Sequence, residues 1–178
     1  SSEQISRKLS EFIKEIQYKN RNPVDNNVLK MLQEMETNPE LLFDSQQYLY
    51  RSRIVHSKDK LNGEYPFFGF GKDGSFVAPS ECTKDMRANY RYIPYLYCAT
   101  RPYLSVVEVR PRLGARVSVA RIRVNERLRL LDFSLQNYPK GMKPVKINLF
   151  YALSQLYSKP VTEDDDTLDY IPTQYIAE

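Results

Sequence analysis

Apolar residues recur at helical spacing along the first stretch of the chain: Ile5, Leu9, Phe12, Ile13 and Ile16, with Lys, Glu and Arg between them. This predicts an amphipathic helix over residues 4–19. Pro23 and Asp25-Asn26-Asn27 interrupt it, and Asp25 is placed to cap a second helix carrying Val28, Leu29, Met31 and Leu32. Thr37-Asn38-Pro39 predicts a third short turn of helix, with Pro39 at its first position. Residues 1–47 therefore read as a helical lead-in, the tail of a larger N-terminal domain, and contain no catalytic cluster.

At Tyr48 the period changes. Leu49, Arg51 and Arg53 alternate against Tyr50 and Ile54, which predicts a strand with its arginines on one face. Tyr95 to Ala99 predicts a short apolar strand; Thr100 is placed to cap a following helix, with Pro102 in its first turn. Leu104 and Val107 share one face of that helix. Further strands are expected over 115–124 and 128–133, then an amphipathic helix with Ile147, Phe150, Tyr151, Leu153 and Leu156 packed on the sheet. Pro172 starts a last helix.

Gly69, Gly71 and Gly74 form a literal G-x-G-x-x-G. The motif signifies dinucleotide binding only between a strand and a helix. Here Ser75 to Ser80 reads as extended or looped chain, so the Rossmann assignment is dropped. Glu163-Asp164-Asp165-Asp166 resembles a carboxylate cluster, but consecutive acids face different ways. With Thr162 before them they suit a solvated loop or helix start better than a metal site.

Composition narrows the classes. The length suits one sizeable core, and no apolar run approaches the ~20 residues of a membrane span. Cys82 and Cys98 lack metal-type spacing and have only His56 to join them, which argues against structural zinc and suits a reducing, cytoplasmic setting. A formal charge of +4 permits an anionic ligand or nucleic acid without requiring either. The 14 tyrosines, many beside arginine, suit a wet pocket or interface, or simply strand rims.

Two features carry candidate chemistry. The Arg51/Arg53 face is either an anion platform, since a guanidinium fork matches phosphate oxygens, or a solvated strand face. Glu108 lies beside the apolar stripe of its helix, where a carboxylate is costly unless paired or working. Arg112 at i+4 offers a surface ion pair; Arg51, Arg53 or Arg87 offers a functional partner.

Several linked motifs resemble RES-domain proteins in order and spacing. They are Leu49-Tyr50-Arg51-Ser52-Arg53, Arg87-Ala88-Asn89, Ile93-Pro94-Tyr95-Leu96-Tyr97-Cys98-Ala99 and Ser105-Val106-Val107-Glu108-Val109-Arg110-Pro111. Val117 to Ala120, Leu130-Leu131-Asp132, Ser158 to Val161 and Tyr170 to Tyr175 continue the match, which covers residues 48–178. The resemblance implies an α+β fold like that of ADP-ribosyltransferases, a split, twisted mixed sheet with surrounding helices around an NAD cleft. It implies NAD as substrate with no cofactor required, consumed by phosphorolysis or hydrolysis in a toxin or defence effector, or used to ADP-ribosylate a protein.

By the same resemblance Glu108, Arg51 and Tyr97 are catalytic. Arg51, Arg53, Arg87, Tyr97 and Glu108 bind NAD, and Thr173 and Gln174 reach the cleft. The family serine is expected beyond the Tyr170-to-Tyr175 helix, past Glu178. Implied partners are an antitoxin or a regulatory N-terminal region, and a second copy in a homodimer; no membrane is expected. The rival from another class is a nucleic-acid-binding module using Tyr90-Arg91-Tyr92 and Arg121-Ile122-Arg123, weakened by the lack of a strongly basic stripe.

Overall fold

The computed structural model describes residues 2–33, 42–63, 68–130, 132–133, 141, 143–159 and 167–178. It combines helices with antiparallel strands, and its residues fall into two compact units that are discontinuous in sequence. The first comprises 1–42, 84–90 and 129–178; the second comprises 43–83 and 91–128. Compaction thus does not follow a division at residue 47.

In the first unit, α1 (Ser2–Tyr18) buries Ile5, Leu9, Phe12 and Ile16, the stripe its period predicts. It packs on α5 (Pro144–Ser158) and α6 (Ile171–Ala177), with α2 (Asn27–Gln33) alongside. Ile5 joins Leu149, Phe150 and Leu153 of α5 in one cluster. Leu9, Phe12 and Ile16 join Val28 and Ile171 in a second. Burying each such side chain contributes about 1.5–3 kcal/mol before entropy. The helix expected over Ile147 to Leu156 forms, but its buried residues cluster with α1 where packing on the sheet was expected.

The cap of α2 is Asn26, not Asp25. The Val28 amide donates to Asn26 Oδ1 at 2.7 Å, because the side chain next to the first helical residue is the one in reach. Asp25 pairs instead with Lys30 in full exposure, and that ammonium holds its carboxyl below the usual range. The turn expected at Thr37 to Pro39 and the acidic run 163–166 lie outside the described residues.

In the second unit, β2 (Tyr48–Ile54) pairs antiparallel with β3 (Val117–Arg123) from Tyr48↔Arg123 to Ile54↔Val117. β1 (Leu42–Phe43) and β4 (Leu128–Arg129) form a two-residue ladder, so only the start of the strand expected over 128–133 exists among the described residues. The strand expected over 95–99 contracts to one bridge. The amides of Tyr50 and Ala99 donate to each other's carbonyls at 2.8 Å, and residues 93–98 are irregular. Pro94 has no amide hydrogen to offer a longer ladder.

The glycine motif serves packing. The Gly69 amide donates to Asn62 O at 2.9 Å, and a Cβ on Gly69 would meet Ser118 Oγ at 2.9 Å. Gly71 precedes a single helical turn, α3 (Lys72–Ser75), shorter than any phosphate-binding helix of a βαβ unit. The next helix, α4 (Pro102–Glu108), is capped at Arg101 rather than Thr100, with no side-chain hydrogen bond at the cap.

Candidate functional site

Alternation along β2 sends Arg51 and Arg53 to one face of the two-stranded sheet and Ser52 to the other. Ser52 and Ser105 are both buried, and their Oγ atoms lie 2.7 Å apart, joining α4 to β2. Ser105 Oγ donates to Pro102 O at 2.7 Å, which leaves Ser52 as donor in the pair, since each hydroxyl has one proton. Two small side chains at this contact let the helix backbone approach the strand closely.

On the opposite face Arg53 is committed to structure. Its guanidinium lies 4.0 Å from the Phe70 ring centroid, and Nη1 donates to Gly74 O. The loop is held from the other strand as well, the Phe70 amide donating to Ser118 Oγ at 3.0 Å. Arg51 differs. It is half-buried, and its Nη1 is buried without a hydrogen-bond partner among the described residues. Burial first, and the like charge of Arg53 second, push its pKa below the usual guanidinium value. Burial also raises the thiol of neighbouring Cys98, with the Arg51 charge opposing. An orphaned donor of this kind is rare in a folded protein and is satisfied when an anion arrives.

Tyr97 and Glu108 belong to the same unit as Arg51 and are exposed. Glu108 is the last residue of α4 and forms no ion pair among the described residues, so neither the Arg112 pairing nor an arginine partner in the site is made. Leu104 and Val107, which share one face of α4, are exposed, because the close contact runs through Ser105.

Arg87 lies in the other unit, where its guanidinium closes the C-terminus of α5. Nη1 donates to Leu156 O at 2.8 Å, and Nη2 donates to Lys159 O. A cation on the last carbonyls of a helix satisfies orphan acceptors and opposes the helix dipole. Arg87 also borders a cavity of about 220 Å³ with Gln17, Lys159, Asp169 and Tyr170.

Asn89 and Gln174 turn out to be structural as well. Asn89, 1% exposed, donates from Nδ2 to Lys84 O at 3.0 Å and Tyr90 O at 2.9 Å. Gln174, 2% exposed, donates from Nε2 to Met86 O at 2.9 Å and Asn89 O at 2.8 Å. Thr173 is buried with its hydroxyl on Tyr170 O at 3.0 Å. Gln174 therefore ties α6 to loop 84–90 within the first unit, and Thr173 bonds within its own end of α6, both buried rather than exposed. Sequence reasoning missed this clasp and the Ser52–Ser105 contact; the one signal was the placement of amides and hydroxyls inside apolar helical runs.

Two cations of the nucleic-acid rival lie over rings, one of them on a tyrosine outside its motifs. Arg91 lies 5.1 Å from the Tyr92 centroid, and Arg121 lies 4.5 Å from that of Tyr48. Among the described residues no cluster of His, Cys, Asp and Glu could hold a metal, and no helix is long and apolar enough to cross a membrane. Comparison with family models, curated proteins and solved structures finds no match.

Proposed function

We propose that the protein consumes NAD, breaking the bond between nicotinamide and ribose, as its resemblance to RES domains implies. The observation that carries the reading is the buried, unpartnered Nη1 of Arg51, a cation with a vacant donor beside the sheet. In the proposed mechanism Arg51 binds a diphosphate oxygen and Tyr97 stacks on the nicotinamide or bonds to its ribose. The C–N bond breaks as its electron pair passes to the pyridinium ring, releasing neutral nicotinamide and leaving oxocarbenium character on the ribose. Glu108 stabilises that positive charge or holds a ribose hydroxyl. Phosphate or water then adds at the anomeric carbon, and water loses its proton to solvent. Arg53 and Arg87, whose guanidiniums already hold Gly74 O and the α5 carbonyls, act as scaffold.

The test is product analysis after incubating the full chain with NAD, with and without phosphate. Free nicotinamide with ADP-ribose 1″-phosphate identifies phosphorolysis, and nicotinamide with ADP-ribose identifies hydrolysis. Arg51→Met and Glu108→Gln each lower kcat/KM by about 100-fold or more, the scale of losing one electrostatic contact in a transition state. Intact NAD, or full activity in both variants, contradicts the reading. An ADP-ribose unit added to a protein assigns transfer instead.

A further inference from the structure

Helix α4 is amphipathic in the reverse sense. Its one buried residue is Ser105, while Tyr103, Leu104 and Val107 are 74%, 44% and 48% exposed. At 100° per residue these three fall in a single stripe on the side away from Ser105. Arg110 follows with φ 45°, a left-handed conformation that residues with side chains rarely adopt, and its amide donates to Val107 O at 3.1 Å. The chain then makes a tight turn in which the Ala115 amide donates to Arg112 O at 2.9 Å. Gly114 at φ 80° permits that turn, and Leu113 stands fully exposed at its tip.

Cations flank these apolar residues along the chain. Residues 101–116 contain Arg101, Arg110, Arg112 and Arg116, all exposed, against a single acid, Glu108. None of the four arginines makes an ion pair among the described residues. An apolar stripe, an exposed leucine and unpaired arginines on one continuous segment have the make-up of an interface centre and its rim.

We infer that this surface of α4 and the following turn docks a protein segment bearing apolar and acidic side chains, an amphipathic acidic helix. Charge complementarity selects the occupant. A second copy meeting this patch about a two-fold axis would set arginine against arginine. A nucleic acid would use the cations and leave Leu104, Val107 and Leu113 against its phosphates. A bilayer would gain little from a seven-residue helix, since interfacial binding scales with apolar area.

The experiment titrates the full chain with four labelled probes. They are a helical peptide of leucines at i, i+3 and i+4 with glutamates elsewhere, its lysine-for-glutamate counterpart, a single-stranded oligonucleotide, and phosphatidylserine vesicles. The expected result is that the glutamate peptide binds and the lysine peptide does not. Binding falls at least tenfold in Leu104→Ser/Val107→Ser and, separately, in Arg112→Gln/Arg116→Gln, with unchanged circular dichroism melting. If the apolar double variant fails to fold, Leu113→Ser, at a fully exposed turn tip, reports the same contact. The inference is overturned if the glutamate peptide does not bind, or binds the folded variants as tightly as the parent. It is overturned equally if the patch variants abolish binding of the oligonucleotide or vesicles, or self-association in sedimentation, instead.

Discussion

Arg51, Arg53 and Arg87 show how little a residue type says about its use. A guanidinium suits a helix carbonyl, an aromatic face and a phosphate equally well. Arg53 holds Gly74 O and lies over Phe70, Arg87 holds the end of α5, and among the described residues Arg51 alone of the three has a buried donor without a partner. The strand bearing Arg51 was legible from its alternation; the distribution of roles among the arginines depends on which acceptors the fold brings near, and spacing does not encode that. A vacant buried donor costs stability, and in this half-buried setting removing it returns about 1 kcal/mol. Arg51→Met is therefore expected to raise the midpoint of chemical denaturation while lowering the proposed NAD turnover by about 100-fold or more. A midpoint that falls would mean that the guanidinium has a structural partner after all.

Elements were legible where burial follows a long period. The stripe of α1 runs over about three turns, and each of Ile5, Leu9, Phe12 and Ile16 is buried as the pattern requires. Helix α4 was legible as a helix but not in its orientation. Leu104 and Val107 look like a core face until Ser105 and Ser52 are seen to make the close contact, and two serines far apart in sequence give no periodic signal. Loop 84–90 is similar: Asn89 and Gln174 become a clasp only when α6 meets the loop. Gln174→Ala removes two side-chain hydrogen bonds to the Met86 and Asn89 carbonyls, which keep only each other's amides, and lowers stability by about 1–2 kcal/mol, read as a shift in urea midpoint at constant m. A change under about 0.5 kcal/mol, typical of surface substitutions, would remove the clasp from the account.

For the whole molecule, contiguity in sequence misled more than pattern did. The lead-in helices share a core with α5 and α6, and loop 84–90 belongs to that unit although 43–83 and 91–128 form the other. Charge at this scale is compatible with both proposals: the chain carries +4, and the segment of α4 and β3 sets several arginines against a single acid, Glu108. The NAD reading and the α4 docking surface rest on different residues, so either can fail while the other stands.

In the proposed function the vacant Arg51 donor receives a phosphate oxygen of NAD. Calorimetric titration of the full chain with ADP-ribose, which keeps the diphosphate but has no bond to cleave, measures that contact directly. Binding to the parent chain is expected to be saturable and to weaken at least tenfold in Arg51→Met, about 1.4 kcal/mol or more for a charge-assisted hydrogen bond. Equal affinity in the parent and Arg51→Met, or no binding to the parent, would contradict it.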